Sequence, residues 1–264
     1  MVEAYAGIDV AYAKRKRLPI IVCTHRDGKL EPLPLRSLPA PPVGKGNAQI
    51  LDQPAVAGFA EAVAEYLRSV EVAFGVGIKR IAIDAPSDPK GFGIKRRQCE
   101  IALDLKRISC ITTPSASEFS NICKRATEHL ARGGAESRMP GANQLWMLVG
   151  FALFERLRKD WECMEVFPQA IVAALNASQI HKSKSAGFAA QLKAISLQTG
   201  WPSLLIVRSL AEIGFGSSHD RLDAYMAAWV ASLEDSEREP IGVPPNDVIW
   251  GPRMCSLAAA EIHA

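Results

Sequence analysis

The sequence predicts an α/β protein with a mixed central sheet, opened by an antiparallel three-strand meander and carrying helices on both faces. Three observations lead there. Strand-forming runs joined by short polar turns fill the first 35 residues; an amphipathic helical stretch then precedes a compact apolar run; the remainder is mostly helical around one further apolar run. With 264 residues, 48% of them hydrophobic and 22% charged, the chain has the composition of one folded domain over 1–264 rather than of a disordered segment.

Ala4–Val10 is short and apolar, and the polar turn at 11–17 leads into a second strand at Leu18–Thr24. Asp27 and Gly28 follow between apolar runs, the dipeptide that best tolerates the positive φ of a tight hairpin, and a third strand lies near Leu30–Leu35. Turns this short permit only antiparallel pairing. Prolines then break regularity, so 36–54 reads as a surface loop. Val56, Phe59, Val63, Leu67 and Val70 recur at helical spacing and predict a helix over Ala55–Phe74. Arg80–Pro86 reads as a buried strand, parallel to one of the first three because a helix precedes it. Next come a helix at Arg96–Lys106, a short strand at Ile108–Thr112, and a helical insertion over 115–161 made of two helices, the first opened by a Ser115/Glu118 capping box. A strand at Glu162–Pro168 precedes helices at Gln169–Asn176, Ala186–Thr199 and Ser217–Ser232, and "DVIWGP" (247–252) reads as a final edge strand. That succession is the element order of an RNase H-like fold.

Three acids stand where carboxylates are costly. Asp9 interrupts an apolar strand, Asp84 ends another, and Asp223 borders the apolar face of the last helix, formed by Leu222, Met226, Trp229, Val230 and Leu233. Each has a plainer reading, as a strand-end acid, a turn former before Pro86 and a dipole-compensating charge. The plainer reading suits Asp220, in the first turn behind Ser217 or Ser218, better than Asp223. The alanines at 224, 227, 228 and 231 let another element approach that helix closely. Acids converging from two strands and a helix bind hard divalent cations through oxygen, and without one they repel each other. The pattern therefore predicts Mg²⁺ or Mn²⁺ and a two-metal hydrolysis of a phosphodiester.

"GIDVA", "AIDAP" and "HDRLDAYMAA" resemble the metal-binding motifs of the RNase H-like superfamily, the last resembling the Asp-x-x-Asp-Ala helix of RuvC-type resolvases. "RRQCE" (96–100), "TPS" (113–115), "EVFP" (165–168), "HKSKSAGF" (181–188) and "VIWGP" (248–252) resemble the ordered motifs of domain-of-unknown-function family 429, described as predicted nucleases. The resemblance covers nearly the whole chain. It implies Asp9, Asp84 and Asp223 as metal ligands, Asp220 as a fourth or alternative catalytic acid, and Glu100 and Glu165 as a second tier. The plainer alternatives for that tier are a surface ion pair for Glu100 and a strand-edge acid for Glu165. The first-helix Glu of RNase H proper has no clear counterpart among Glu61, Glu65 and Glu71.

The net charge of +3 is too small to argue for nucleic acid, so that case rests on local clusters: Lys14 and Arg15 after Asp9, Arg96 and Arg97 after Asp84, and Lys182 with Lys184. These are the candidate phosphate-binding residues, against the alternative of ordinary solvated turns. Few aromatics are interleaved with them, so no stacking platform is visible. The six cysteines form no zinc pattern and read as thiols of a reducing, cytoplasmic compartment. No apolar run reaches the roughly 20 residues that span a bilayer, so no membrane is expected. Paired cuts would need an oligomer, for which no face is indicated. Two other classes compete with the nuclease: an ATP-dependent phosphotransferase of actin-like architecture, disfavoured because no glycine follows Asp9 in its turn, and a catalytically idle binding protein.

Overall fold

The computed structural model describes residues 1–177, 180–201, 206–245 and 247–253. Its elements are β1 (Val2–Asp9), β2 (Ile20–Arg26), β3 (Lys29–Pro32), α1 (Asn47–Ile50), α2 (Gln53–Phe74), β4 (Val76–Asp84), α3 (Gln98–Leu105) and α4 (Ala116–Ala131). After them come α5 (Ala142–Leu157), β5 (Glu162–Glu165), α6 (Pro168–Ala174), α7 (Ser185–Thr199), α8 (Ile206–Ile213), α9 (Ser218–Ser232), β6 (Arg238–Val243) and β7 (Asp247–Pro252). The protein is α/β, with a mixed five-stranded sheet in the order β3-β2-β1-β4-β5. β1, β2 and β3 pair antiparallel, while β4 runs parallel to β1 and β5 parallel to β4.

Alternation along β1 explains the layers. Ala4, Ala6 and Ile8 join Ile81 and Ile83 in a core with α2 and α5, and Tyr5 joins Ile21, Ala82 and Met164 in a second core with α9. The β2–β3 turn forms as expected: Asp27 and Gly28 both have positive φ, 49° and 74°. Asp52 caps α2, its carboxylate accepting the Ala55 N–H, and Gly75 ends that helix at a φ of 63°. Helix α9 is buried on all sides from Arg221 to Ser232. Arg80 donates to the carbonyls of Ala231 (2.8 Å) and Leu233 (3.1 Å), satisfying the end of α9 from β4. The Tyr225 hydroxyl donates to the Leu30 carbonyl at 3.0 Å and ties α9 to β3.

Several expectations are corrected. The loop expected over 36–54 contains α1, and its Pro42 carbonyl and Gly44 pair with Leu18, Lys16 and Arg15, strapping the basic turn in place. Ile108–Thr112 is not a strand: the Ile108 N–H returns to Leu103, and the Thr113 N–H goes to the Glu100 carboxylate, so no ladder forms. "DVIWGP" does not extend an edge of the five-stranded sheet. It pairs with β6, an unforeseen strand, in a two-stranded sheet that touches the segment after β5 through one Val166–Trp250 bridge. Helix α8 was likewise not anticipated. Among the described residues no helix is long and apolar enough to cross a membrane.

Candidate active site

Parallel pairing of β1 with β4 puts Asp9 directly beside Asp84, both at the carboxyl ends of their strands. The third side comes from α9, and Gly7 sets how near it lies. A Cβ on Gly7 would stand 1.9 Å from the Ala224 carbonyl oxygen and 2.4 Å from the Ala228 nitrogen, so strand and helix backbones touch. That contact places Asp223, 3% exposed, one residue from the crossing. Ser217 caps α9, and Asp220, in the first turn as the dipole-compensating reading has it, also closes the capping box. The charge of Asp220 nevertheless reaches Asp9.

Lys182, in the segment before α7, enters this cluster. Its ammonium is ion-paired with Asp223 Oδ2, while Asp223 Oδ1 is buried without a hydrogen-bond partner. Asp9 and Asp84 keep part of their surface open but lie deep in the protein. Burial, then Asp220, pushes the Asp9 carboxyl up to about 7, with Lys182 and Lys16 opposing. Burial, then Asp9, holds the Asp84 carboxyl well above the usual range, with Lys182 opposing and Glu165 adding a smaller push. Burial lowers Lys182 despite the pull of Asp84, Asp9 and Asp220. Asp9, Asp84, Asp220 and Lys182 thus form one electrostatic group, and Asp223 joins it through its ion pair with Lys182. Among the described residues no three or more Asp, Glu, His or Cys side chains are grouped so that they could hold a metal ion.

Both second-tier acids are buried: Glu100 is therefore no surface ion pair, while Glu165 does end the edge strand β5. Glu165 receives both arms of the Arg97 guanidinium at 2.8 Å and the Ser87 N–H at 2.9 Å. Burial still raises its carboxyl above the ordinary value, against Arg97 and Ser87. Glu100 accepts the Arg97 N–H (3.2 Å) and the Thr113 N–H (2.6 Å). Asp247 of β7 accepts the Gln98 N–H at 2.6 Å and Arg97 Nε at 3.3 Å, capping α3 from the far end of the chain. Arg97, expected to bind phosphate, is therefore enclosed and committed to Glu165 and Asp247. Arg96 pairs with Asp104 and, at 3.5 Å, with Glu100. Lys14, Arg15 and Lys184 are exposed. Reasoning from sequence singled out Lys182 as a phosphate-binding residue and missed it as the partner of Asp223, and it missed Asp247 as a cap.

Fold and site together define an α/β protein with a carboxylate cluster at the carboxyl ends of adjacent parallel strands, closed by a late helix. The chain belongs to the family described as "Protein of unknown function (DUF429)", whose profile matches residues 7–246. No curated protein matches the chain, and no solved structure does.

Proposed function

We propose that the chain is a divalent-metal-dependent nuclease that hydrolyses a nucleic-acid phosphodiester on an RNase H-like fold. The observation that carries the reading is the meeting of Asp9, Asp84, Asp220 and Asp223 around one lysine at the end of the sheet. The strand order, antiparallel for β1 to β3 and parallel for β4 and β5, supports the fold assignment.

The donor set suits a hard cation: it is all carboxylate, Asp223 Oδ1 is buried and unpaired, and burial with repulsion, from Asp220 on Asp9 and from Asp9 on Asp84, holds two carboxyls up in a way that a cation would relieve. Asp9, Asp84 and Asp223 would hold Mg²⁺ or Mn²⁺, with Asp220 beside Asp9. When bound, the metal supplies activation of water and compensation of charge on the phosphate. The chain's own groups do the rest. Lys182 neutralises Asp223, and would have to give up that carboxylate for Asp223 to serve as a metal ligand. Lys14 and Arg15, exposed on the turn after Asp9, hold flanking phosphates and orient the strand.

The test is cleavage of labelled single-stranded, duplex, hybrid and branched substrates with Mg²⁺ or Mn²⁺. Cleavage is expected from the wild type and not from Asp9→Asn or Asp223→Asn. Cleavage that persists in both variants overturns the site, and ATP consumption without cleavage would indicate a phosphotransferase instead.

A further inference from the structure

A cavity of about 340 Å³ adjoins the acids and shares Asp84 with them. Its floor is set by the Arg97–Glu165 pair and by Glu100, whose bonds to one another and to the backbone leave them fixed in place. Two aromatic residues from different elements line it, Trp146 of α5 and Phe167 after β5, and neither is fully buried. Ile111 is 46% exposed on the same lining, an apolar side chain that the protein's own packing does not cover. The indole N–H of Trp146 is spent on the Asn143 carbonyl at 3.0 Å, so its ring is what it offers a ligand. Ser109 and Gln169, exposed on the lining, add groups that donate and accept hydrogen bonds.

We propose that this cavity binds one unpaired, unstacked nucleobase of the substrate, beside the phosphate presented to the acids. The inference rests on the nuclease reading and deepens it by specifying the substrate: nucleic acid with at least one base free of its stack. Three features select this occupant. The volume lies at the small end of ligand sites, room for one nucleotide-sized group and not for a paired stretch. The walls combine aromatic and aliphatic surface with polar groups at the rim, which suits a planar ring with a polar edge; an alkyl chain would leave Asp84 and Arg97–Glu165 facing hydrocarbon. Continuity through Asp84 lets the phosphate attached to a bound base reach the acid cluster. The aromatic platform that composition did not reveal is thus assembled by the fold, from residues distant in sequence.

The experiment measures binding of labelled eight-residue single-stranded DNA and RNA, and of the same DNA as a duplex, by fluorescence anisotropy in EDTA. The proteins are the full chain, Trp146→Ala, Ile111→Ser and the Lys14→Ala/Arg15→Ala double variant, each checked for folding by circular dichroism. Trp146→Ala is expected to weaken single-strand binding about ten-fold, as loss of one stacked base does, and Ile111→Ser several-fold, with duplex binding unchanged in both. The double variant is expected to weaken all three ligands alike. Single-strand binding that stays within two-fold in both Trp146→Ala and Ile111→Ser overturns the proposal, and so does absence of any binding by the wild type. Ile111→Ser, a change at an exposed position, keeps the test open should Trp146→Ala fail to fold. The two readings separate cleanly. Cleavage with an unchanged KM in the pocket variants removes the pocket and keeps the nuclease; base-dependent binding without cleavage under any metal removes the nuclease and keeps the pocket.

Discussion

On the proposed reading, Lys182 and a divalent cation would compete for Asp223. The lysine is paired with one carboxylate oxygen, so a cation would have to displace a partly desolvated ion pair. Removing it is expected to strengthen binding: Lys182→Met should bind Mn²⁺ several-fold more tightly than wild type by titration calorimetry, and should lower the metal-free Tm by leaving Asp223 buried without a partner. Equal or weaker Mn²⁺ affinity would mean that Lys182 and the cation do not share the site. Asp9 gives a second, pH-dependent expectation. Folded, it takes up its proton near pH 7, and unfolded, near pH 4. Between those values the folded chain carries the extra proton, so the contribution of Asp9 to stability is most favourable below about pH 4 and is lost as pH rises to 7. Asn carries no such charge. Asp9→Asn should therefore raise the Tm by several degrees at pH 8 in EDTA and change it little at pH 4, and saturating Mn²⁺ should raise the Tm of wild type but not of the variant. A Tm gain of the same size at both pH values would mean that the charge of Asp9 is not its cause.

At the scale of elements, the backbone contact of β1 with α9 and the buried Arg97–Glu165 pair hold the site together. Gly7→Ala puts a methyl inside the α9 backbone, and overpacking of this kind costs about 1–3 kcal/mol. Its Tm should fall by roughly 2–4 °C for each kcal/mol of destabilisation, and metal affinity should fall with it, since Asp223 moves with the helix. Arg97→Met leaves Glu165 buried and unpaired, at a cost of about 3–5 kcal/mol in denaturant unfolding; Arg97→Met with Glu165→Met should recover most of that stability. The central strands were legible because Asp9 and Asp84 interrupt or end apolar runs, a pattern carried by neighbours in the chain. β6 was not: Arg238, Pro240 and Gly242 give it neither clean alternation nor strand composition, and it forms because β7 pairs with it and α3 covers it. The expected strand at Ile108–Thr112 failed for the converse reason, its strand-forming residues giving up their backbone partners to Leu103 and to Glu100.

For the whole molecule, a net charge of +3 means that any attraction to nucleic acid is local rather than global. The slope of log affinity against log salt should therefore be shallow, and replacing Lys14 and Arg15 by Ala should reduce its magnitude by about 2, roughly one for each phosphate that is no longer neutralised. A slope unchanged in that double variant would remove the basic turn from the interface. Asp9, Asp84 and Asp223 stood out in the sequence because each broke a local rule, whereas Asp220 obeyed one as a first-turn acid. The roles of their companions did not stand out, because Lys182, Arg97 and Asp247 acquire meaning only from residues brought to them by folding: Asp223, Glu165 and the start of α3. The contact of α9 with Gly7 also fixes an order in time. During synthesis β1 and β4 emerge well before α9, so until α9 has left the ribosome one face of the sheet lacks this helix and Asp9 and Asp84 lack Asp223. The step that lays α9 on the sheet is thus the same step that brings Asp220 and Asp223 to the ends of β1 and β4.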